Sequence, residues 1–231
     1  MVEKNSVVLV SFDGKDKVTG KIFDTTNEET AKKSGLHAEG RVFKSVPVVV
    51  GKGELIPGLD DQLQKMAVGE EKTFEIPAEK AFGERNQDLI KVIPLTEFKK
   101  RDLVPFNGMV VDINERLGRV QSVSGGRVRV DFNHELAGKT VEYKLKIEKK
   151  FDKAEDKAKA LYEKFLPSQG QENCKLSGDT LEISVNPRIA PSIGQLKQIL
   201  AGQILENISE IKKVKFVEEY SMPKKTDEKK N

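Results

Sequence analysis

The stretch from Gly51 to Glu84 constrains the fold more than any other, because it sets an apolar loop directly before a helix. The helix is predicted by four apolar residues that recur at helical spacing, which are Leu59, Leu63, Met66 and Ala67. It is preceded by Leu55, Ile56 and Pro57, where a polar capping side chain is usual. Two large aliphatic side chains at this position predict a contact with something apolar.

Composition narrows the class of protein. The 231 residues carry 40 Lys and Arg against 37 Asp and Glu, which argues against a nucleic-acid binder defined by strong net charge. A single cysteine, Cys174, excludes an intramolecular disulfide and favours a reducing compartment. The N-terminus shows no signal-peptide pattern, and no window approaches the roughly 20 apolar residues that span a bilayer. We expect a cytoplasmic protein with no membrane partner.

Short apolar or alternating runs predict strands in the first half of the chain and again near residue 140. The predicted strands span residues 6–12, 15–23, 43–50, 72–76 and 140–147. Residues 27–40 are polar and predict a long loop with one short helix. Gly69 is placed to end the helix that follows Pro57.

The chain changes character at Arg85 and again after Lys150. Three further strands are predicted at residues 109–113, 119–123 and 127–132, with a tight turn at Gly125-Gly126. Beyond residue 150 we predict a helix over 154–165 ended by Pro167, a strand over 181–185, a second helix capped by Ser192, and a strand over 214–218. The charged tail predicts disorder.

No polar catalytic set is recognisable in this sequence. His37 and His134 lack a partner at metal-ligand spacing, and neither a phosphate-binding glycine loop nor a nucleophilic serine motif occurs. We therefore expect no cofactor and no metal. The remaining candidates are apolar or aromatic residues with one acid among them: Phe12, Phe23, Asp24, Leu55, Ile56, Phe74, Phe82 and Tyr143. Each apolar side chain could equally belong to the core, and Asp24 to a turn.

Three separated motifs make the sequence recognisable. They are GKIFDTT, GKGELIPGLDDQLQKMAVGEEKTFEIPAEKAFG and NHELAGKTVEYKLKIE, in that order along the chain. The set resembles the FKBP family of peptidyl-prolyl isomerases over residues 6–84 and 132–150. The unit between them resembles the insert-in-flap domain of SlyD-type members. The added C-terminal segment is similar to that of archaeal long-chain members.

The resemblance implies an α+β fold in several domains. Residues 1–85 and 132–150 would form one isomerase domain, an antiparallel half-barrel sheet around one helix. Residues 86–131 would form an inserted, small β-rich chaperone domain. Residues 151–222 would form a C-terminal α/β domain, and residues 223–231 a disordered tail.

The resemblance also implies roles for single residues. Ile56 would lie beneath the substrate proline and offer its backbone N–H to a substrate carbonyl. The expected catalytic residues are Asp24, Ile56, Phe82 and Tyr143. The expected substrate contacts are Phe12, Phe23, Leu55, Leu59, Phe74, His134 and Leu136. Many relatives have Trp in place of Leu59, and Phe12 and Phe82 lack hydroxyl groups that Tyr would offer. We therefore expect modest activity and weak binding of the family's macrolide ligands.

The expected function is cis–trans isomerisation of Xaa-Pro bonds, with the insert holding unfolded clients. Its partners would be unfolded, proline-containing polypeptides and, through the C-terminal domain, a second copy of the chain. One alternative is a holdase chaperone that keeps the fold without effective catalysis. Another is an RNA-associated factor, because Arg119, Arg127 and Arg129 line the insert. Near-neutral net charge and few interleaved aromatic residues count against RNA.

Overall fold

The computed structural model describes residues 1–166 and 173–220. Its first elements are β1 (Val7–Asp16), β2 (Ile22–Thr25), α1 (Glu28–Lys33), β3 (Val46–Val49), α2 (Pro57–Leu63) and β4 (Glu71–Ile76). One edge of β1 pairs antiparallel with β3 near its start and with β2 near its end. Valine dominates the β1–β3 pair, since its branched side chain packs well on a pleated, buried surface.

The chain then leaves this sheet and builds a smaller one. Its elements are β5 (Ile90–Pro94), α3 (Leu95–Lys99), β6 (Val110–Ile113), β7 (Arg116–Ser124) and β8 (Arg127–Asp131), in the sheet order β5-β8-β7-β6. Phe98 of α3 packs on Val111, Val120, Val128 and Val130 to form a separate small core. The predicted Gly125-Gly126 turn is confirmed, with both glycines at positive φ. β5 was not predicted.

The chain returns to the first sheet as β9 (Val141–Phe151), which lies between β1 and β4. The result is a five-stranded antiparallel sheet with α2 against one face. Leu59 and Leu63 of α2 are buried there with sheet residues such as Val10 and Leu145. The expected α+β fold, an antiparallel sheet around one helix with an insert and a C-terminal unit, is confirmed.

The C-terminal unit contains α4 (Ala154–Phe165), β10 (Cys174–Ser177), β11 (Thr180–Val185), α5 (Gly194–Asn207) and β12 (Lys213–Glu218). α5 connects the parallel strands β11 and β12, and β10 pairs antiparallel with β11. The core of this unit, around Leu161 and Ile204, also takes in Val7 and Val49 of the first sheet. The C-terminal unit is therefore packed against the first sheet through a shared apolar core, and the chain connection is not its sole attachment.

Two predicted boundaries, the start of β2 and the end of α2, were wrong. The predicted strand over 15–23 begins at Ile22 instead, because the Asp16 carboxylate accepts from the N–H groups of Val18 and Thr19 and forms a turn. α2 ends at Leu63, well before Gly69. Tighter hydrogen bonds between residues three apart, such as Met66 N–H to the Leu63 carbonyl, replace its last predicted turn.

One predicted cap in the C-terminal unit was also wrong. The Ser192 hydroxyl donates to the Ile189 carbonyl, and α5 begins after Ile193 with no side-chain cap. Pro167 and the tail 223–231 lie outside the described residues. Within the described part of the chain, no helix is long and apolar enough to cross a membrane.

Candidate active site

Most of the predicted site residues lie together on the face of the first sheet that carries α2. Six of them are partly buried against the core formed by α2 and the sheet: Phe12, Phe23, Leu55, Ile56, Phe74 and Phe82. Leu59 and Tyr143 are buried in that core. Side chains from four strands and two loops thus meet at one apolar surface beside the start of α2.

A row of residues across the sheet places Tyr143 at the centre of this surface. Asp24 of β2 pairs with Gly14 of β1, Gly14 pairs with Tyr143 of β9, and Tyr143 pairs with Phe74 of β4. Directly paired residues in antiparallel strands point to the same face. Asp24, Tyr143 and Phe74 therefore share the face on which Gly14 leaves a gap.

An irregularity between β1 and β2 brings two adjacent residues to the site. The register shifts after Gly14, so that Phe23 lies between paired positions. A bulge of this kind re-aims a side chain that would otherwise point to the opposite face. The Phe23 ring accordingly meets Tyr143 and Phe82 edge to face, each with 5.6 Å between ring centroids.

The apolar loop before α2 is held without a capping side chain at its end. Pro57 occupies the first helical turn, where its missing N–H costs nothing. The Asp60 carboxylate reaches back and accepts from the N–H groups of Gly51 at 2.7 Å and Gly53 at 3.3 Å. Among the described residues no group accepts from the Ile56 N–H, so that donor is available to a ligand.

A cavity of about 520 Å³ opens beside Phe23 and Phe82. Its apolar lining is Ile22, Phe23, Leu36, Phe82 and Leu136, and its polar rim includes Asp16, Asp24, His134 and Lys139. The rings of Phe82 and His134 stack with centroids 4.8 Å apart. The His134 Nδ1 atom accepts from the Leu136 N–H at 3.2 Å, which fixes the orientation of the exposed imidazole.

The other predicted residues do not line this cavity. Phe12, Leu55, Ile56, Leu59, Phe74 and Tyr143 lie on the α2 side of the Phe23–Phe82 pair. Contact between the two groups runs through Phe23, which touches Tyr143, and Tyr143 in turn meets Phe12 at 5.9 Å between centroids. The predicted residues therefore fall into two groups, one packed with α2 and one lining the cavity, and Phe23 and Phe82 belong to both.

Asp24 is the charged residue that lies beside Tyr143. Its carboxylate accepts from the Thr25 N–H at 3.0 Å and from the Arg41 guanidinium at 3.2 Å. Burial, and secondly the nearby charge of Asp24, raise the pKa of Tyr143 far above its ordinary value. A phenol with the ordinary pKa of about 10 is already neutral at pH 7, and the shift keeps the Tyr143 hydroxyl protonated to still higher pH.

Sequence reasoning missed Asp16, Ile22 and Lys139 of the cavity lining, and three further contributors in the long loop after α1. Leu36 lines the cavity, Arg41 pairs with Asp24, and Phe43 lies between the Arg41 guanidinium at 4.8 Å and the His37 ring at 5.9 Å. The sequence shows no regular spacing for these contacts, because each depends on how the polar loop is placed in the folded protein.

Three family models match successive parts of the chain. The model described as FKBP-type peptidyl-prolyl cis-trans isomerase matches residues 1–96. The model described as FKBP26, IF domain matches residues 91–136, and the FKBP26 C-terminal model matches residues 154–221.

Curated relatives agree with these matches. The short-type peptidyl-prolyl cis-trans isomerase of Methanocaldococcus jannaschii is 39% identical over 131 residues, covering 57% of this chain and 83% of the relative. The FKBP-type 16 kDa isomerase of Escherichia coli K12 is 31% identical over 150 residues, covering 63% and 91%. SlyD of Treponema pallidum is 33% identical over 125 residues, covering 52% and 70%. The chain belongs to the FKBP-type peptidyl-prolyl cis-trans isomerases, with a SlyD-like insert and an FKBP26-type C-terminal unit.

Proposed function

We propose that the protein catalyses cis–trans rotation of Xaa-Pro bonds in the cleft bounded by Ile56, Tyr143, Phe23 and Phe82. One observation carries the proposal: an apolar loop, a buried phenol and an aromatic pair converge on one face, beside an unpaired backbone donor. A prolyl ring is apolar, and the carbonyl before it needs one hydrogen bond. The proposed cleft offers an apolar surface for the ring and the Ile56 N–H for the carbonyl.

The geometry suits a reaction that makes and breaks no covalent bond. The barrier to rotation is the loss of amide resonance, roughly 18–20 kcal/mol. Inside an apolar cleft the twisted amide, which is less polar, loses less by leaving water than the planar amide does. A thousandfold acceleration needs only about 4 kcal/mol of such preference.

We assign each residue a role in that step. Ile56 and Leu55 contact the prolyl ring over the floor made by Leu59, and the Ile56 N–H holds a substrate carbonyl. Tyr143, buried beside Phe23, forms the wall opposite. Asp24 anchors Arg41 and so shapes the rim. Phe12, Phe74, Phe82, His134 and Leu136 complete the surface that excludes water.

The direct test is the cis-to-trans relaxation of an unstructured Xaa-Pro tetrapeptide near 10 °C, where uncatalysed relaxation takes minutes. Catalytic amounts of the full chain should shorten that time in proportion to enzyme concentration. A rate that does not change with enzyme concentration would contradict catalysis and favour the holdase alternative.

We further propose that the insert, residues 86–131, holds unfolded clients close to the cleft. Several large apolar side chains there are more than half exposed: Val92, Val104, Phe106, Val110 and Leu117. Large exposed apolar side chains can contact the apolar side chains of unfolded polypeptides. Binding beside the active site raises the effective concentration of the client's prolines.

We also propose that residues 151–222 mediate self-association. β12 lies at the edge of its sheet, and Ile199, Leu205 and Val217 are exposed on α5 and β12. An open strand edge beside apolar side chains is suited to pairing with another chain. Light scattering should give twice the mass of one chain, and Ile199→Glu with Leu205→Glu should halve it. A wild-type mass equal to one chain would contradict this.

A further inference from the structure

The loop that presents Leu55 and Ile56 has little stiffness of its own. Gly51 and Gly53 both have positive φ, at 79° and 69°, and only Lys52 separates them. Glycine leaves the backbone with the most conformational freedom, so a loop with two such residues keeps one geometry only when other groups hold it. Asp60 holds the N-terminal part of this loop through the N–H groups of both glycines.

The part of the loop nearest the cleft is held by Glu54. Its Oε2 atom accepts from the Val49 N–H at 2.9 Å and from the Lys164 ammonium at 3.0 Å. The Glu54 side chain is only 15% exposed and that of Lys164 28%, so this ion pair is poorly screened by solvent. Glu54 directly precedes Leu55, so the contacts that hold Glu54 restrain the chain where it enters Leu55 and Ile56.

Lys164 comes from a different unit of the protein. It is the penultimate residue of α4, whose Leu161 shares a buried cluster with Val7 and Val49 of the first sheet. A second ion pair, between Lys44 and Glu163, crosses the same interface without touching the loop. The end of α4 is thus fixed in place on the sheet, and Lys164 is aimed at Glu54 by packing.

We propose that Lys164 is a positioning residue for the isomerase site: it fixes Glu54, and through Glu54 the backbone of Leu55 and Ile56. The inference rests on the proposed function of the cleft. It gives the C-terminal unit a part in catalysis, although none of the described residues of that unit lines the cavity or packs in the α2 core. A C-terminal unit joined only by a linker would have no such effect.

The test compares three variants of the full chain. Lys164→Met removes the charge and keeps most of the apolar stem, whereas Lys164→Arg keeps a cation. Lys44→Met is the matched control, because it removes the other ion pair across the same interface. For each variant we would measure kcat/KM on a tetrapeptide, the Tm, and amide hydrogen exchange over residues 49–53, whose N–H groups include the donors to Glu54 and Asp60.

We expect Lys164→Met to lower kcat/KM by about three- to tenfold, because a small displacement of the binding loop suffices for such a loss. Exchange of the Val49 amide, which donates to Glu54, and of the Gly51 and Gly53 amides, which donate to Asp60, should quicken in the same variant. Lys164→Arg and Lys44→Met should stay near wild type. In the Glu54→Gln background, Lys164→Met should cause little further loss. Equal exchange and equal kcat/KM in Lys164→Met and Lys44→Met would overturn the proposal.

The exchange measurement needs no turnover. A wild-type chain without isomerase activity would contradict the proposed function, and loop exchange would still decide whether Lys164 holds Glu54. Faster loop exchange with unchanged kcat/KM would overturn the positioning role while leaving the isomerase intact.

Discussion

The phenol ring of Tyr143 lies directly over Gly14, since a Cβ atom at position 14 would be 2.7 Å from Cε1 of Tyr143 and 3.1 Å from the Phe23 ring. Distances below 3.0 Å require the ring or the strand to shift. Both neighbours that would be displaced are walls of the cleft. The absence of a side chain at this one position of β1 is therefore what lets Tyr143 meet Phe23.

Gly14→Ala should accordingly damage the site. We expect kcat/KM on a tetrapeptide to fall about tenfold, because Tyr143 and Phe23 must move apart, and the free energy of unfolding to fall by about 1–3 kcal/mol. Gly202→Ala is the matched control, since a Cβ there meets nothing within 4 Å and lies in helix α5. That control should leave activity unchanged and stabilise by about 0.5–1 kcal/mol. Wild-type kcat/KM in Gly14→Ala would show that the close approach is dispensable.

Asp16 should make stability sensitive to acid. A hydrogen bond from Lys139, followed by those from the Thr19 and Val18 N–H groups, lowers the pKa of Asp16 to about 2 despite its burial. Because this value is below the unfolded pKa of about 3.9, the contribution of Asp16 is complete above about pH 4. It is lost as the pH falls through the folded value.

Asp16→Asn should therefore be less stable than wild type at pH 7, by about 1–3 kcal/mol. Its free energy of unfolding should also fall less than that of wild type between about pH 4 and pH 2. Urea unfolding across this range checks both statements. Asp112→Asn, which alters an exposed carboxylate of β6, is the control and should follow the wild-type curve. Parallel curves for Asp16→Asn and wild type would refute the assignment.

Phe82→Tyr should improve the site. The Phe82 ring is held between Phe23 and His134, so an added hydroxyl would project from a fixed ring towards the ligand. One additional hydrogen bond contributes about 0.5–1.5 kcal/mol, which predicts a two- to tenfold gain in kcat/KM and in macrolide affinity. Phe106→Tyr, in the exposed loop of the insert, should change neither. Unchanged macrolide binding in Phe82→Tyr would argue against this placement of the ring.

The insert should matter for folding chains and not for short peptides. Leu117→Ser combined with Val110→Ser removes two exposed side chains from neighbouring strands of the insert sheet. We expect catalysis of a proline-limited refolding reaction to drop at least about fivefold, with tetrapeptide turnover unchanged, because only the long client gains from a second contact. Val18→Ser removes a still more exposed apolar side chain outside the insert. If that control lost as much refolding activity, client holding by the insert would be wrong.

The spacing of apolar residues along the chain predicted the helices and strands in which that spacing is regular. The spacing of Leu59 and Leu63 identified α2, and alternation identified β9, because helix and strand periods are properties of neighbouring residues. The first boundary error came from Asp16, whose side chain captures two backbone donors and turns the chain early. β5 was missed because Pro94 reads as a break, although it stands at the last position of the strand.

The apolar residues of the candidate site were predictable from the sequence, and its long-range polar contacts were not. Its apolar residues stand out in the sequence, and family resemblance groups them. Arg41, Leu36 and the Glu54–Lys164 pair do not stand out, because their meaning depends on partners that are distant in sequence. Lys164 lies 110 positions from Glu54 by their residue numbers, and only the packing of α4 on the first sheet brings them together. No local period encodes such contacts.

In the proposed isomerase cleft, the apolar loop before α2 contacts the prolyl ring over the floor made by Leu59. The most direct measurement is the concentration-dependent relaxation of an Xaa-Pro tetrapeptide near 10 °C with wild type, Ile56→Asp and the exposed control Val18→Asp. We predict acceleration by wild type and Val18→Asp, and at least about a hundredfold loss of kcat/KM for Ile56→Asp, since a carboxylate would be desolvated against the prolyl ring. Equal acceleration by all three folded proteins would show that catalysis does not depend on Ile56 and would contradict its proposed contact with the prolyl ring.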